Sequence, residues 1–192
     1  MTKIYEEVSK YIRDRISVTD EELAIILTFF KPLKAKKNEL LISQGQTNQR
    51  TFFVGKGCLR IYFINEEGQH ATRYFAVENN FATALMSFIT GEPTHEFIQS
   101  VENSELLYIS QKDFYHLLEI IPAWEKFYRR YLEKAYVNNT NRLMSFVTTN
   151  ALERYLNLLE ESPDIVKRLP NKMVASYLNL SPETLSRLKS KV

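Results

Sequence analysis

Apolar residues recur at three- and four-residue spacing at the start of the chain, where Ile4, Val8, Tyr11 and Ile12 predict an amphipathic helix. Thr19 and Glu22 have the spacing of a capping box ahead of Leu23, Ile25, Ile26 and Leu27, which predicts a second helix ended by Pro32. From Leu40 to about Ile109 the pattern shortens to runs rich in aromatic and β-branched residues. Leu40–Ser43, Thr51–Val54, Leu59–Ile64, Ala71–Phe75, Glu96–Val101 and Leu106–Ile109 are the predicted strands. Turn signals separate them, and all five glycines fall in these turns, where positive φ angles are expected. Short strands at such spacing indicate an antiparallel sandwich or barrel rather than parallel βαβ units.

After Ser110 there is no glycine and the helical period returns. Ser110 and Asp113 mark a helix over Gln111–Ile121, interrupted at Pro122. The long stretch beyond it carries a wide apolar stripe through Trp124, Phe127, Tyr128, Tyr131, Leu132, Ala135, Leu143, Phe146 and Val147. Such a stripe needs a partner, either the chain's own sheet or the same helix of a second subunit packed as a coiled coil. The polar run Asn138–Arg142 within it reads either as a register-fixing seam or as an exposed turn of a single-chain helix. Thr148-Thr149-Asn150 reads as a hinge or cap before a helix over Ala151–Glu161.

Composition narrows the class. The chain has 192 residues, of which 44% are hydrophobic and 25% charged, enough for an ordinary packed core. The longest uncharged run is the thirteen residues Asn79–Gly91, too short to span a bilayer, and no charged-then-apolar leader opens the sequence. No membrane association is therefore expected. A single cysteine, Cys58, excludes a disulfide framework and any cysteine-held cluster within one chain, and suits a reducing cytoplasm.

The net charge of +2 becomes informative once divided. Residues 167–192 hold Lys167, Arg168, Lys172, Arg187, Lys189 and Lys191 against Glu183 alone, a local charge of +5 on a body of −3. A polyanion partner and a merely solvated basic tail both fit that asymmetry.

The same segment carries the most specific local signal. Pro170-Asn171 opens a short helix to about Leu178, Asn179-Leu180-Ser181 forms a tight turn, and Ser181-Pro182 starts a second helix predicted to run to the end. Small Ala175 sits where the two helices approach, giving a helix-turn-helix pattern. At about 100° per residue, Leu185, Leu188 and Val192 fall within roughly 60° of one another and form a buried stripe. Glu183, Ser186, Arg187 and Ser190 point away, with Thr184, Lys189 and Lys191 on the shoulders. That outward face suits a major groove, where an arginine reaches guanine and lysines meet phosphates. The predicted DNA-binding set is Lys172, Ser181, Glu183, Thr184, Ser186, Arg187, Lys189, Ser190 and Lys191.

On these residues the sequence resembles the Crp/Fnr family of bacterial transcription regulators. Asn38–Gln46, Phe52–Gly57 and Asn65–Gly68 are similar to the family's sensory β-roll, and Ala175–Arg187 to its recognition motif. The resemblance implies an α+β chain in three parts. Residues 1–122 would form N-terminal helices and an antiparallel double-stranded β-roll (a jelly roll), 123–148 a long dimerisation helix, and 149–192 a C-terminal helix-turn-helix domain. It further implies a homodimer on double-stranded DNA with a two-fold symmetric site, and RNA polymerase as a further partner.

Members that bind cyclic nucleotides hold the ribose and cyclic phosphate with a Gly-Glu pair and an Arg-Ser or Arg-Thr pair. Here Ala82-Thr83 stands in the first place and Thr94-His95 in the second, with Glu96 adjacent. A cyclic phosphate would lack its arginine counter-charge, so cAMP is not expected to bind in the usual way and no cofactor is predicted. Ala82, Thr83, Thr94 and His95 remain the candidate pocket for an unidentified effector. A haem sensor would need an axial ligand, and His70, His95 and His116 read as surface residues. Pro182 stands where some members carry a basic residue, which shifts base recognition toward Glu183 and Arg187. The sequence stops after the recognition helix, so no β-hairpin wing is expected.

No HExxH, P-loop, GxSxG or Cys/His arrangement appears, and an enzyme is not expected. The alternative is a ligand-binding or protein-interaction module whose helical end docks onto a protein rather than DNA.

Overall fold

The aromatic and β-branched runs pair into two four-stranded sheets in the computed structural model, which describes residues 2–191. Two helices come first, α1 (Lys3–Arg13) and α2 (Asp20–Thr28), the second opened by the predicted Thr19–Glu22 capping box. One sheet has the order β1 (Lys31–Ala35), β8 (Ser104–Ser110), β3 (Arg50–Lys56), β6 (Phe81–Ala82). The other has the order β2 (Leu40–Ile42), β7 (Phe97–Ser100), β4 (Leu59–Ile64), β5 (His70–Ala76). Pairing is antiparallel, with Phe53 opposite Leu107 on β8 and Phe81 on β6. This is the antiparallel β-roll with flanking helices that the sequence predicts.

The remaining helices are α3 (Leu85–Thr90), α4 (Gln111–Ile120), α5 (Pro122–Thr148), α6 (Ala151–Glu161), α7 (Pro163–Arg168), α8 (Asn171–Leu178) and α9 (Pro182–Lys189). Contacts divide the chain into two compact units, one running to Ile61 and including Phe75–Glu133, the other Tyr62–Tyr74 with Lys134 onward.

In the first unit, α1, α2, α4 and the start of α5 cover the β1-β8-β3-β6 sheet with an aromatic core. Tyr11, Phe53, Phe81, Phe127 and Trp124 are buried together, and the Trp124 ring stacks on Phe127 at 4.4 Å. Edge-on pairs such as Tyr11–Phe81 at 5.2 Å fix ring orientation as well as burying area. The second unit has its own core, made by Tyr155, Leu158, Ile165, Val166, Val174, Ala175, Leu178 and Leu185 from α6 to α9. There the β4–β5 hairpin meets α8, with the Thr72 amide donating to Ser176 Oγ at 2.8 Å.

Three local expectations are corrected. Pro32 does not end the second helix, which stops at Thr28. It lies in β1, an edge strand where the missing N–H costs no central ladder bond. Gly55 does not sit in a turn with positive φ; it is a β3 residue. Its missing side chain admits α1, since a Cβ there would lie 2.4 Å from Ile4 Cγ1. The last helix ends at Lys189 with Ser190 as its cap, and Val192, counted in the predicted stripe, lies outside the described residues. The elements β1, β6, α3 and α7 were not predicted.

The long helix uses its stripe in two ways. Trp124 and Phe127 are buried in the first unit, with Tyr128 and Tyr131 partly buried against the same core. Further along, Tyr136, Val137, Leu143, Met144 and Val147 are exposed, Val147 at 87%. At about 100° per residue these five occupy one face roughly 120° wide.

Candidate nucleic-acid interface

The helix-turn-helix is built by local chemistry. Asn179 takes the left-handed conformation (φ 54°, ψ 51°) that ends α8. The Leu180 amide then reaches back to the Ala175 carbonyl at 2.9 Å and the Asn179 amide to Ser176 at 3.3 Å, a Schellman closure with asparagine in the glycine position. Two residues later Ser181 caps α9, its Oγ accepting from the Thr184 amide at 3.1 Å. Pro182 occupies the first helical position, where no N–H is required. Ala175 is fully buried between the helices, and Leu185 anchors α9 from the other side.

This framework presents Glu183, Ser186, Arg187 and Ser190 to solvent on one face of α9. The Arg187 side chain makes no hydrogen bond or ion pair among the described residues, while its carbonyl accepts from Ser190 Oγ at 2.9 Å. The Glu183 carboxyl is held below the usual range by its own backbone N–H, by the Ser181 hydroxyl and, less strongly, by Arg187. It therefore stays an acceptor at neutral pH. The hydroxyls of Ser181 and Thr184 lie 3.0 Å apart and are engaged in the cap. Lys172 and Lys191 are exposed, whereas Lys189 donates to Asn171 Oδ1 at 2.5 Å and is tied back to the start of α8.

The candidate effector residues lie elsewhere, in the β-roll. Ala82 and Thr83 are buried at β6, and the Thr83 hydroxyl accepts from Asn48 Nδ2 at 2.7 Å and donates to the Arg50 carbonyl at 3.0 Å. Asn48 is itself fully buried and takes Ser87 Oγ as acceptor for its amide. Thr94 is buried, its hydroxyl accepting from the Glu96 amide at 2.9 Å, while His95 is exposed. The cavity that Thr83 lines has a volume of about 10 Å³ and aromatic walls, including Phe81, Phe88 and Phe114. That is room for about one water-sized sphere. Thr94 and His95 are not among its walls. The four candidates are thus not gathered around that opening, and the polar groups of Thr83 and Thr94 already have partners within the chain.

Sequence reasoning missed Asn48, whose role depends on meeting Thr83 and Ser87 across more than thirty residues of chain. It also missed Arg60, buried in the middle of β4, where Leu59, Ile61 and Tyr62 are buried too and no alternation singles it out.

Comparison with known proteins places this geometry. Residues 32–120 match the cyclic nucleotide-binding domain family. No curated protein sequence matches the chain. Among solved structures, FixK2 from Bradyrhizobium japonicum is similar with a TM-score of 0.74 at 13% identity, covering 84% of this chain and 83% of that one. CLP from Xanthomonas campestris, a c-di-GMP responsive global regulator, gives a TM-score of 0.71 at 14% identity, covering 90% and 91%. A protein from Eubacterium rectale described as a transcriptional regulator of the Crp/Fnr family gives 0.70 at 13% identity, covering 91% and 83%. Residues 32–120 thus resemble the cyclic nucleotide-binding domain family, in a chain that has the fold of the Crp/Fnr regulators.

Proposed function

We propose that this chain is a sequence-specific DNA-binding transcription regulator of the Crp/Fnr type, acting as a cytoplasmic homodimer on a two-fold symmetric site. The observation that carries the reading is the exposed face of α9, where Glu183, Ser186 and Arg187 stand clear on a helix fixed at both ends of its turn. The +5 charge of residues 167–192 supplies the attraction to phosphate. In this reading α9 lies in the major groove, Arg187 donates to guanine O6 and N7, and Glu183 accepts from cytosine N4. Lys172 and Lys191 meet the backbone, while Ser181, Thr184 and Lys189 hold the helix in place.

The exposed apolar face from Tyr136 to Val147 is the surface on which a second copy would pack. Movement at Thr148–Asn150 would then set the spacing of the two recognition helices. RNA polymerase is a further partner of such a regulator. The β-roll is not expected to answer to cAMP. Ala82-Thr83 and Thr94-His95 replace the residues that hold a cyclic phosphate, and Glu96 is buried nearby in sequence. Calorimetry with cAMP and with cGMP is expected to give no tight binding that a substitution at Thr83 or Thr94 alters; tight binding sensitive to either position would overturn that part of the reading.

The experiment for the whole proposal is selection from a pool of random-sequence duplexes. Enrichment of a two-fold symmetric sequence, with half-sites about one helical turn (roughly 34–36 Å) apart, is the expected result. Retention of all sequences alike, or of none, would favour docking of the helical end onto a protein.

A further inference from the structure

The second unit forms a half-open cavity of about 400 Å³ between β5, α5, α6 and α8, lined by no residue of α9 and within the size range of small-molecule sites. Three arginines reach it, Arg73, Arg142 and Arg154, against one carboxylate, Glu161. Arg142 and Arg154 both lie over the Phe146 ring, their guanidinium carbons 4.9 and 5.8 Å from its centroid. Arg142 also lies over Tyr177 at 4.1 Å.

Neither of these two arginines has a carboxylate partner among the described residues. Arg142 donates to the carbonyls of Thr72 at 2.8 Å and Tyr177 at 2.7 Å. Arg154 donates to the carbonyls of Leu178 at 3.1 Å and Thr149 at 2.7 Å. Carbonyls and ring faces orient a guanidinium but leave its charge uncancelled, and gathering like charges away from water is unfavourable. Burial pulls the Arg142 guanidinium below its ordinary range; the Tyr177 hydroxyl opposes that pull and, least strongly, the nearby Arg73 adds to it. An anion in the cavity would remove that conflict.

We infer that this cavity is a binding site for a phosphate-bearing small molecule, with Arg142 and Arg154 holding the phosphate. Guanidinium forks match phosphate oxygens in planar, two-point geometry. A phosphate alone does not fill the space, and the amides of Asn138 and Asn157 at the walls offer donors and acceptors to the rest of the ligand. The walls include the helix on each side of the Thr148–Asn150 hinge and the first helix of the helix-turn-helix, so a bound anion ties these elements together.

Calorimetry on the full chain, without DNA, with inorganic phosphate, AMP and adenosine tests the site. AMP or phosphate is expected to bind saturably and adenosine to fail. Replacing the arginines risks loosening the fold, because they also hold carbonyls. The side chains of Glu161 and Asn157 make no hydrogen bond or ion pair among the described residues and give cleaner variants. Glu161→Gln removes the only carboxylate in the wall and is expected to tighten binding about threefold to tenfold; Asn157→Asp adds one and is expected to weaken it by a similar factor. Absence of binding by both phosphate and AMP up to about 10 mM, adenosine binding as tightly as AMP, or unchanged affinity in both variants would each overturn the inference.

Discussion

Asn179 carries the turn of the helix-turn-helix in a conformation that most side chains avoid. Its φ of 54° is tolerated by asparagine and glycine and disfavoured by a β-carbon branched residue. Asn179→Gly is therefore expected to leave stability within about 0.5 kcal/mol, and Asn179→Val to cost about 1–2 kcal/mol, as read by urea unfolding. Equal costs would mean that the asparagine side chain, not the backbone angle, holds the turn. Gly57 makes a sterner demand, with φ at 100° and a Cβ position only 2.9 Å from the Ser104 Cα. Both strain and collision oppose Gly57→Ala, for which a loss of about 2 kcal/mol or more is expected. At this scale the sequence was most readable where the chemistry is local. The Ser181 cap, Pro182 and the left-handed Asn179 all depend on neighbours within four residues. Asn48 was unreadable because its partners are set by the closing of the β-roll.

Among the elements, α5 shows how one stripe can serve two purposes. Its first two turns bury Trp124 and Phe127 in the first unit, while its later turns leave Leu143 (67% exposed) and Val147 without cover. The sequence showed the stripe but not where the cover ends, since the covering residues come from α1, α2 and α4. The same non-local dependence hid β1 and β6. Lys31–Ala35 has a proline and two lysines and becomes a strand only because β8 offers an edge, with Leu33 opposite Leu106. Strands such as Leu59–Ile64 were legible because their own residues favour extended backbone. If the exposed face of α5 is a dimer seam, Leu143→Lys combined with Val147→Glu should shift sedimentation from dimer to monomer while circular dichroism stays unchanged. A wild-type chain that sediments as a monomer at tens of micromolar would remove the seam from the account.

Across the whole molecule, charge is distributed to match the proposed task. A body of −3 carries a terminal segment of +5, so association with DNA should rest on few phosphate contacts, from Lys172 and Lys191, and weaken with salt only in proportion to that small number. Specificity has a different origin, in Glu183 and Arg187, and the two contributions can be separated. The most direct measurement is the affinity of the wild-type chain and of Arg187→Ala for a selected two-fold symmetric site, for single-base variants of it and for unrelated DNA. The account predicts that Arg187→Ala loses about 1–3 kcal/mol on the selected site, loses discrimination at one position in each half-site, and binds unrelated DNA almost as before. Equal weakening on every sequence would make Arg187 a phosphate contact, and no weakening on any would contradict the assignment of α9 as the reading helix.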